Sequence, residues 1–237
     1  MAGRTRERPD LHADKIVETV ATLGRRIEER FPGSGLGGVC ASLWRIARQA
    51  KERSEQIQRP IVLLRAGVMA LLVLIGAGLV ATVLSLELPR HGLDLADFIQ
   101  VLEAGINDVV LIGAAVFFLV TVEGRVKRRR GLDALHELRS IAHVIDMHQL
   151  TKDPERAVSK PDRTAASPER AMSPEQLGRY LDYCSEMLSL TGKVAAVYIR
   201  DFQDPVVLSA VNEIEDLTTA LSRKVWQKLM VLHRVHA

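Results

Sequence analysis

Residues 66–86 read AGVMALLVLIGAGLVATVLSL, 21 positions without a charge. At 1.5 Å per residue a helix of that length measures about 31 Å, enough to cross the hydrocarbon core of a bilayer. The apolar run opens at Ile61, and Arg65, one turn in, can lay its stem along the helix and lift its guanidinium to the headgroups. The run starts 60 residues into the chain, so it reads as a signal-anchor span and not as a cleavable signal peptide.

A second span follows. Val109–Val122 (VVLIGAAVFFLVTV) has 14 uncharged residues, about 21 Å of helix and too short alone. The basic run Arg125-Val126-Lys127-Arg128-Arg129-Arg130 sets the inner end near Val122, and counting back about 20 residues puts the outer end near Glu103. One long helix is predicted from about Asp94 to Glu123, its outer third partly above the membrane. Residues 61–123 then form a transmembrane hairpin with a short external connection. Asn107 and Asp108 sit about one and a half turns inside its outer boundary, a candidate intramembrane polar site.

Orientation follows from Lys and Arg near the spans. The connection from Glu87 to Asp108 carries Arg90 alone, against Glu87, Asp94, Asp97, Glu103 and Asp108. Arg45, Arg48, Lys51, Arg53 and Arg59 precede the first span, and the basic run follows the second. Both termini are therefore expected in the cytoplasm. Arg125, Lys127, Arg128, Arg129 and Arg130 set topology and offer cations to anionic headgroups. The run is short and lacks aromatics, so nucleic acid is not an expected partner. Ala66, Ala70, Ala77 and Ala81 fall within about 60° on a helical wheel, and Ala104 and Ala115 within about 20°. Such small faces let helices approach closely, within one chain or between subunits. No Trp or Tyr flanks either span.

The whole chain has 237 residues, 47% apolar, 4% aromatic and 26% charged, with net charge +3. These values exclude collagen-like, disulfide-rich and wholly disordered chains, and so much charge leaves room for few spans. Residues 1–60 hold 12 Lys/Arg against 8 Asp/Glu, whereas 131–237 hold 13 against 15. The basicity is thus local. Cys40 and Cys184 each sit in an apolar helical pattern and read as buried free thiols.

The remaining segments are helical. In residues 1–60, Asp10 can cap a helix with apolar Ile16, Val20, Leu23, Ile27 and Phe31. Ser34 can cap a second through Leu36, Val39, Leu43, Ala47 and Ala50. This is a cytoplasmic N-terminal hairpin. Residues 124–150 hold the basic run and a membrane-proximal helix with Leu135, Leu138, Ile141, Ala142 and Ile145 on one face. Residues 151–172 carry three prolines and no periodic apolar face, and read as a mobile linker. Residues 173–237 form a long antiparallel hairpin. Ser173-Pro174-Glu175-Gln176 starts its first helix, with a heptad seam of Leu177, Tyr180, Cys184, Met187, Thr191, Val194 and Tyr198. Asp204-Pro205 starts the second, with Val207, Ala210, Ile214, Leu217, Leu221, Val225 and Leu229. The fold expected is all-α, without strands.

The run LHELRSIAHVIDMHQLTKDPER, with FPGSGLGGVC upstream and YLDYCSEMLSL and VNEIEDLTTALSRKVWQKL downstream, resembles an uncharacterised family of bacterial two-span inner-membrane proteins. The resemblance covers most of the chain. It implies a bacterial inner-membrane location and brings no activity and no functional residues.

Signals for chemistry are weak. Gly33-Ser34-Gly35-Leu36-Gly37-Gly38 matches GxGxxG, but a helix and a proline precede it, so it reads as an interhelical turn. His136 and His143 lie two turns apart, too far for one metal, and Asp146 and His148 complete no cluster. No cofactor or metal is expected. The function expected is a non-enzymatic, membrane-anchored scaffold or regulatory protein that contacts itself or another protein through its cytoplasmic helices. The alternative is a small homo-oligomeric channel or ion-coupled protein using Asp108.

Overall fold

The computed structural model describes residues 11–85, 95–154, 172–200, 202 and 204–234. These residues form helices α1 (Ala13–Arg30), α2 (Gly35–Gln58), α3 (Val62–Ser85), α4 (Leu95–Leu150), α5 (Pro174–Val197) and α6 (Pro205–Arg234). No strand occurs among the described residues, as the all-α expectation requires. Asp10, the external connection at 86–94 and most of the expected linker, 155–171, lie outside the described residues. The chain divides into two compact units, Met1–Gln58 with Arg130–Ala237, and Arg59–Arg129.

In the first unit, local signals define the helix ends. His12 stands at the N-cap of α1 without a side-chain hydrogen bond. At the other end the Phe31 N–H donates to the Ile27 carbonyl at 2.7 Å. Gly33 then takes φ +67, a left-handed conformation that favours glycine. Its N–H donates to Glu28 Oε1 at 3.0 Å. Ser34 Oγ accepts from the Gly37 N–H at 3.2 Å and so caps α2. The glycine-rich motif is an interhelical turn. At α5 the capping box is complete: Gln176 N–H donates to Ser173 Oγ at 3.2 Å, and Ser173 N–H to Gln176 Oε1 at 2.9 Å. Asp204 Oδ1 accepts from the N–H groups of Val206 and Val207 at 3.0 and 3.2 Å, opening α6.

The expected apolar faces are buried, but not in separate hairpins. Helix α5 packs against α6, α1 and α2. Its seam side chains Leu177, Tyr180, Cys184, Met187, Thr191 and Val194 are buried, and so are Leu181, Leu188 and Ala195. That second series, spaced by seven, is a further apolar face and needs a further neighbour. The N-terminal helices supply it. The apolar ones join one core with Val20, Leu23 and Ile27 of α1, Leu36 and Leu43 of α2, and Val211, Ile214 and Val225 of α6.

Helix α4 runs for 56 residues without interruption, about 84 Å. The sequence reading ends one helix near Glu123 and places a second at 132–150. The structure joins them, because the range contains no proline and neither Gly124 nor Gly131 takes a positive φ. Past Arg130, its residues Ala134, Leu135, Leu138, Ala142 and Ile145 enter the first unit's core. Arg53 pairs there with Glu137 at 3.0 Å, and Arg139 with Glu213 at 2.6 Å.

The second unit holds α3 and the first part of α4. By length and composition, Gly105–Leu150 is the described helical stretch able to cross a membrane. Val62–Gly78 is a shorter apolar helical stretch.

Leu188 is fully buried between the two helix pairs. Leu188→Ala should destabilise the protein by about 2–5 kcal/mol, and Ser173→Ala by about 1 kcal/mol through loss of the cap. Urea unfolding followed by circular dichroism reads both. Equal losses from the two variants would contradict the shared core.

Candidate functional site

The second unit buries a carboxylate. Glu123 is 8% exposed. Arg65, on the first turn of α3, donates through Nε to Glu123 Oε2 at 3.2 Å and through Nη2 to Oε1 at 3.4 Å. Lys127, one turn further along α4, brings Nζ to 2.9 Å from Oε1. Both carboxylate oxygens therefore have cationic donors, the condition under which a buried charge is tolerated. The lysine side chain is 15% exposed and the arginine side chain 55%, so Lys127 provides the more shielded contact.

This cluster joins residues that the sequence reading treats separately. Lys127 Nζ lies 2.9 Å from Glu123 Oε1, one helical turn away. Arg125, Arg129 and Arg130 remain exposed and Arg128 is half-buried. The sequence reading used Arg65 for snorkelling and Glu123 only as a helix boundary. The overlooked signal was an arginine at the start of the first apolar run and a glutamate at the end of the second, which antiparallel helices bring side by side.

Above the cluster, the two helices bury a stripe of side chains. On α3, Val68 is buried and Leu64, Leu72 and Ile75 are half-buried; on α4, Ala115 is buried and Leu119 and Val122 are half-buried. Asp108 belongs to the same side of α4, within about 60° of Ala115, Leu119 and Val122. It is half-buried, whereas Asn107 and Val109 beside it are exposed. The alanine face is placed differently from an intrachain contact: Ala66, Ala70, Ala77 and Ala81 are all exposed, roughly opposite the buried stripe. The larger Leu64, Val68, Leu72 and Ile75 occupy the inward side. Ala104 lies where side chains are not described.

The first unit has a polar cluster where α4 ends. Lys228 Nζ donates to the carbonyls of Gln149 and Lys152 at 2.6 and 2.9 Å, a lysine closing a helix C-terminus. Burial pushes the pKa of Lys228 down, opposed by Asp153 and Asp146. Tyr180 Oη lies 3.4 Å from His148 Nδ1. His148 also crowds Gly35, where a Cβ would come within 2.6 Å of the imidazole. His136 and His143 are exposed on another side of α4. Among the described residues no group of three His, Cys, Asp or Glu side chains is placed to hold a metal ion.

Cys40 and Cys184 are free and buried. Burial pushes their thiols up to about 11 and about 12. At neutral pH both stay protonated, so neither is an activated nucleophile. Burial likewise raises Tyr180, and raises Tyr198 to about 12 against the opposing charge of Arg53.

Comparison with known protein families, curated proteins and solved structures finds no match.

Two outcomes follow. Glu123→Ala leaves Arg65 and Lys127 facing each other and should destabilise the α3–α4 pair by about 1–3 kcal/mol. Arg65→Ala should cost under about 1 kcal/mol, since its side chain is more than half exposed. Thermal unfolding in detergent checks the order, and an inverted order would contradict the burial of Glu123. Separately, four raised acids release protons on unfolding at high pH. Their contribution is complete below about pH 8, the foot of the unfolded thiol titration, and declines as pH rises toward the folded values, so urea midpoints should fall between about pH 8 and pH 10.

Proposed function

We propose that the chain is a membrane-anchored helical interaction protein of the bacterial inner membrane, non-enzymatic, with two spans and both termini in the cytoplasm. The observation that carries this reading is the apolar surface left open on α3 and α4. Leu63 is 86% exposed, Leu74 71%, Val109 71% and Phe117 73%. A surface of that kind is stable in lipid and costly in water. The first unit supports an interaction role in a different way. It closes its heptad seams internally, which leaves isolated apolar contacts such as Trp226 and Met230 on α6 and Met147 on α4. These, and not the seams, would meet a protein partner. Self-association would use the outward face of Ala66, Ala70, Ala77 and Ala81, where backbones can approach closely. The exposed Arg125, Arg129 and Arg130 would contact anionic headgroups.

The half-burial of Asp108 favours a second reading, an oligomeric channel or ion-coupled protein in which this carboxylate faces a helix contact or a wet path. Asp108→Asn keeps the shape and removes the charge. Under this reading it changes assembly or conductance between about pH 5 and pH 8. Unchanged behaviour assigns Asp108 to the interface.

Topology is tested in intact cells with an impermeant thiol reagent. His91→Cys should label and Ala166→Cys should not, over a low background because both native thiols are buried. The reverse pattern overturns the orientation. Mass measurement of the solubilised protein then separates a co-purifying partner from a ring of copies. Ala70→Phe should reduce any homo-oligomer to smaller species; if the mass is unchanged, the alanine face is not the contact.

A further inference from the structure

Beyond the membrane reading, and independent of it, the first unit carries a basic cleft of about 490 Å³ between α1 and α5, lined by Arg26, Glu29, Arg30, Arg179 and Tyr183. Helical spacing builds it. Arg26, Glu29 and Arg30 stand at i, i+3 and i+4 on α1, and Arg179 and Tyr183 at i and i+4 on α5, so each group lines one wall.

The three arginines are not equivalent. Arg26 is already held: it donates to Glu186 at 2.8 and 3.4 Å, and its guanidinium lies 5.2 Å from the Tyr183 ring centroid. Tyr183 is itself fixed, 3% exposed and met edge-on by Phe31 at 6.2 Å. Arg26 and Tyr183 are thus engaged with each other across the cleft. Arg179 is tethered loosely, 3.6 Å from Asp182, beyond hydrogen-bond reach. Arg30 has no carboxylate partner among the described residues. Among the described residues, two guanidinium forks therefore keep donors toward one space, with Glu29 as the single acid in the lining.

The geometry points to a phosphate monoester or diphosphate group as the ligand of this cleft. Planar guanidinium forks match phosphate oxygens two at a time. A single carboxylate would meet Glu29 and gain no more than Asp182 already offers. A doubly charged group with three or more acceptor oxygens can engage Arg30 and Arg179 together and outweigh Glu29. The volume lies in the range of small-molecule sites, so the cleft has room for an organic group attached to the phosphate. Bound there, the phosphate would tie α1 to α5 across helices far apart in sequence.

The test uses the full chain in detergent, with sodium pyrophosphate as the probe and sodium chloride at matched ionic strength as the control. Calorimetric titration should show saturable binding that weakens with salt, and the melting temperature should rise with pyrophosphate. The double variant Arg30→Gln/Arg179→Gln should weaken binding by at least about tenfold. Both side chains are exposed, and circular dichroism confirms folding. Glu29→Gln should tighten binding, an effect of opposite sign that misfolding cannot produce. Arg129→Gln/Arg130→Gln should leave affinity unchanged, which separates the cleft from the basic run. Repeating the titration in phosphatidylcholine nanodiscs with and without phosphatidic acid identifies the source. Loss of pyrophosphate binding only with phosphatidic acid assigns a lipid headgroup, and equal binding in both assigns a soluble organic phosphate. Absence of saturable binding, or wild-type affinity in the Arg30/Arg179 variant, overturns the proposal.

Discussion

Helix α5 has apolar side chains on two faces, and one neighbour cannot cover both. This constraint organises the first unit. The seam through Cys184 and Met187 and the series through Leu181 and Leu188 are all buried, with α6 on one hand and α1 and α2 on the other. Remove α6, or α1 with α2, and a row of leucine-sized side chains faces water, at about 1.5–3 kcal/mol for each side chain exposed. The charged contacts at the edge, Arg26 with Glu186 and Lys51 with Asp14, are exposed and contribute little beside that burial. The apolar faces set the fold.

The second unit solves the opposite problem. Its helices carry apolar side chains almost all round, so apolar character alone does not single out one face from the others. What distinguishes them is charge. Glu123 has cations on both oxygens, and a carboxylate screened from water without them would be costly. The ion cluster and the stripe from Val68 to Ala115 lie on the sides of α3 and α4 that meet.

Much of the fold was legible in the sequence. The helix starts at Ser34, Ser173 and Asp204 were readable because each cap is a local event, one side chain bonding N–H groups two or three residues on. The apolar periodicities were readable for the same reason. Less legible was whatever depends on a second segment. The series Leu181, Leu188 and Ala195 lies beside a stronger seam and reads as its flank until α1 and α2 are known to be near. The continuity of α4 was hidden by Gly124 and Gly131, which lower helix propensity but do not break a helix that has neighbours along its length. At the candidate sites, the isolation of the His136 and His143 side chains could be derived from helical spacing alone. The pairing of Lys127 with Glu123 could not, because a basic run reads equally well as outward-facing until the buried face of its helix is known.

The first unit is made of two separated stretches of chain, with the whole second unit between them. Arg26 meets Glu186 across 160 positions, and Ser54 Oγ donates to the Val197 carbonyl across 143. This has a consequence during synthesis. At about 5–20 residues per second, roughly 8–30 seconds separate the appearance of Arg26 from that of Glu186. Throughout that interval α1 and α2 exist without the helix that covers them, while the ribosome is making the apolar segments. The newborn amino-terminal pair must either stay loosely folded or be sheltered by a chaperone. A chain truncated before α5 would never leave that state, which makes the last third of the sequence the point at which the nascent protein becomes resistant to proteases.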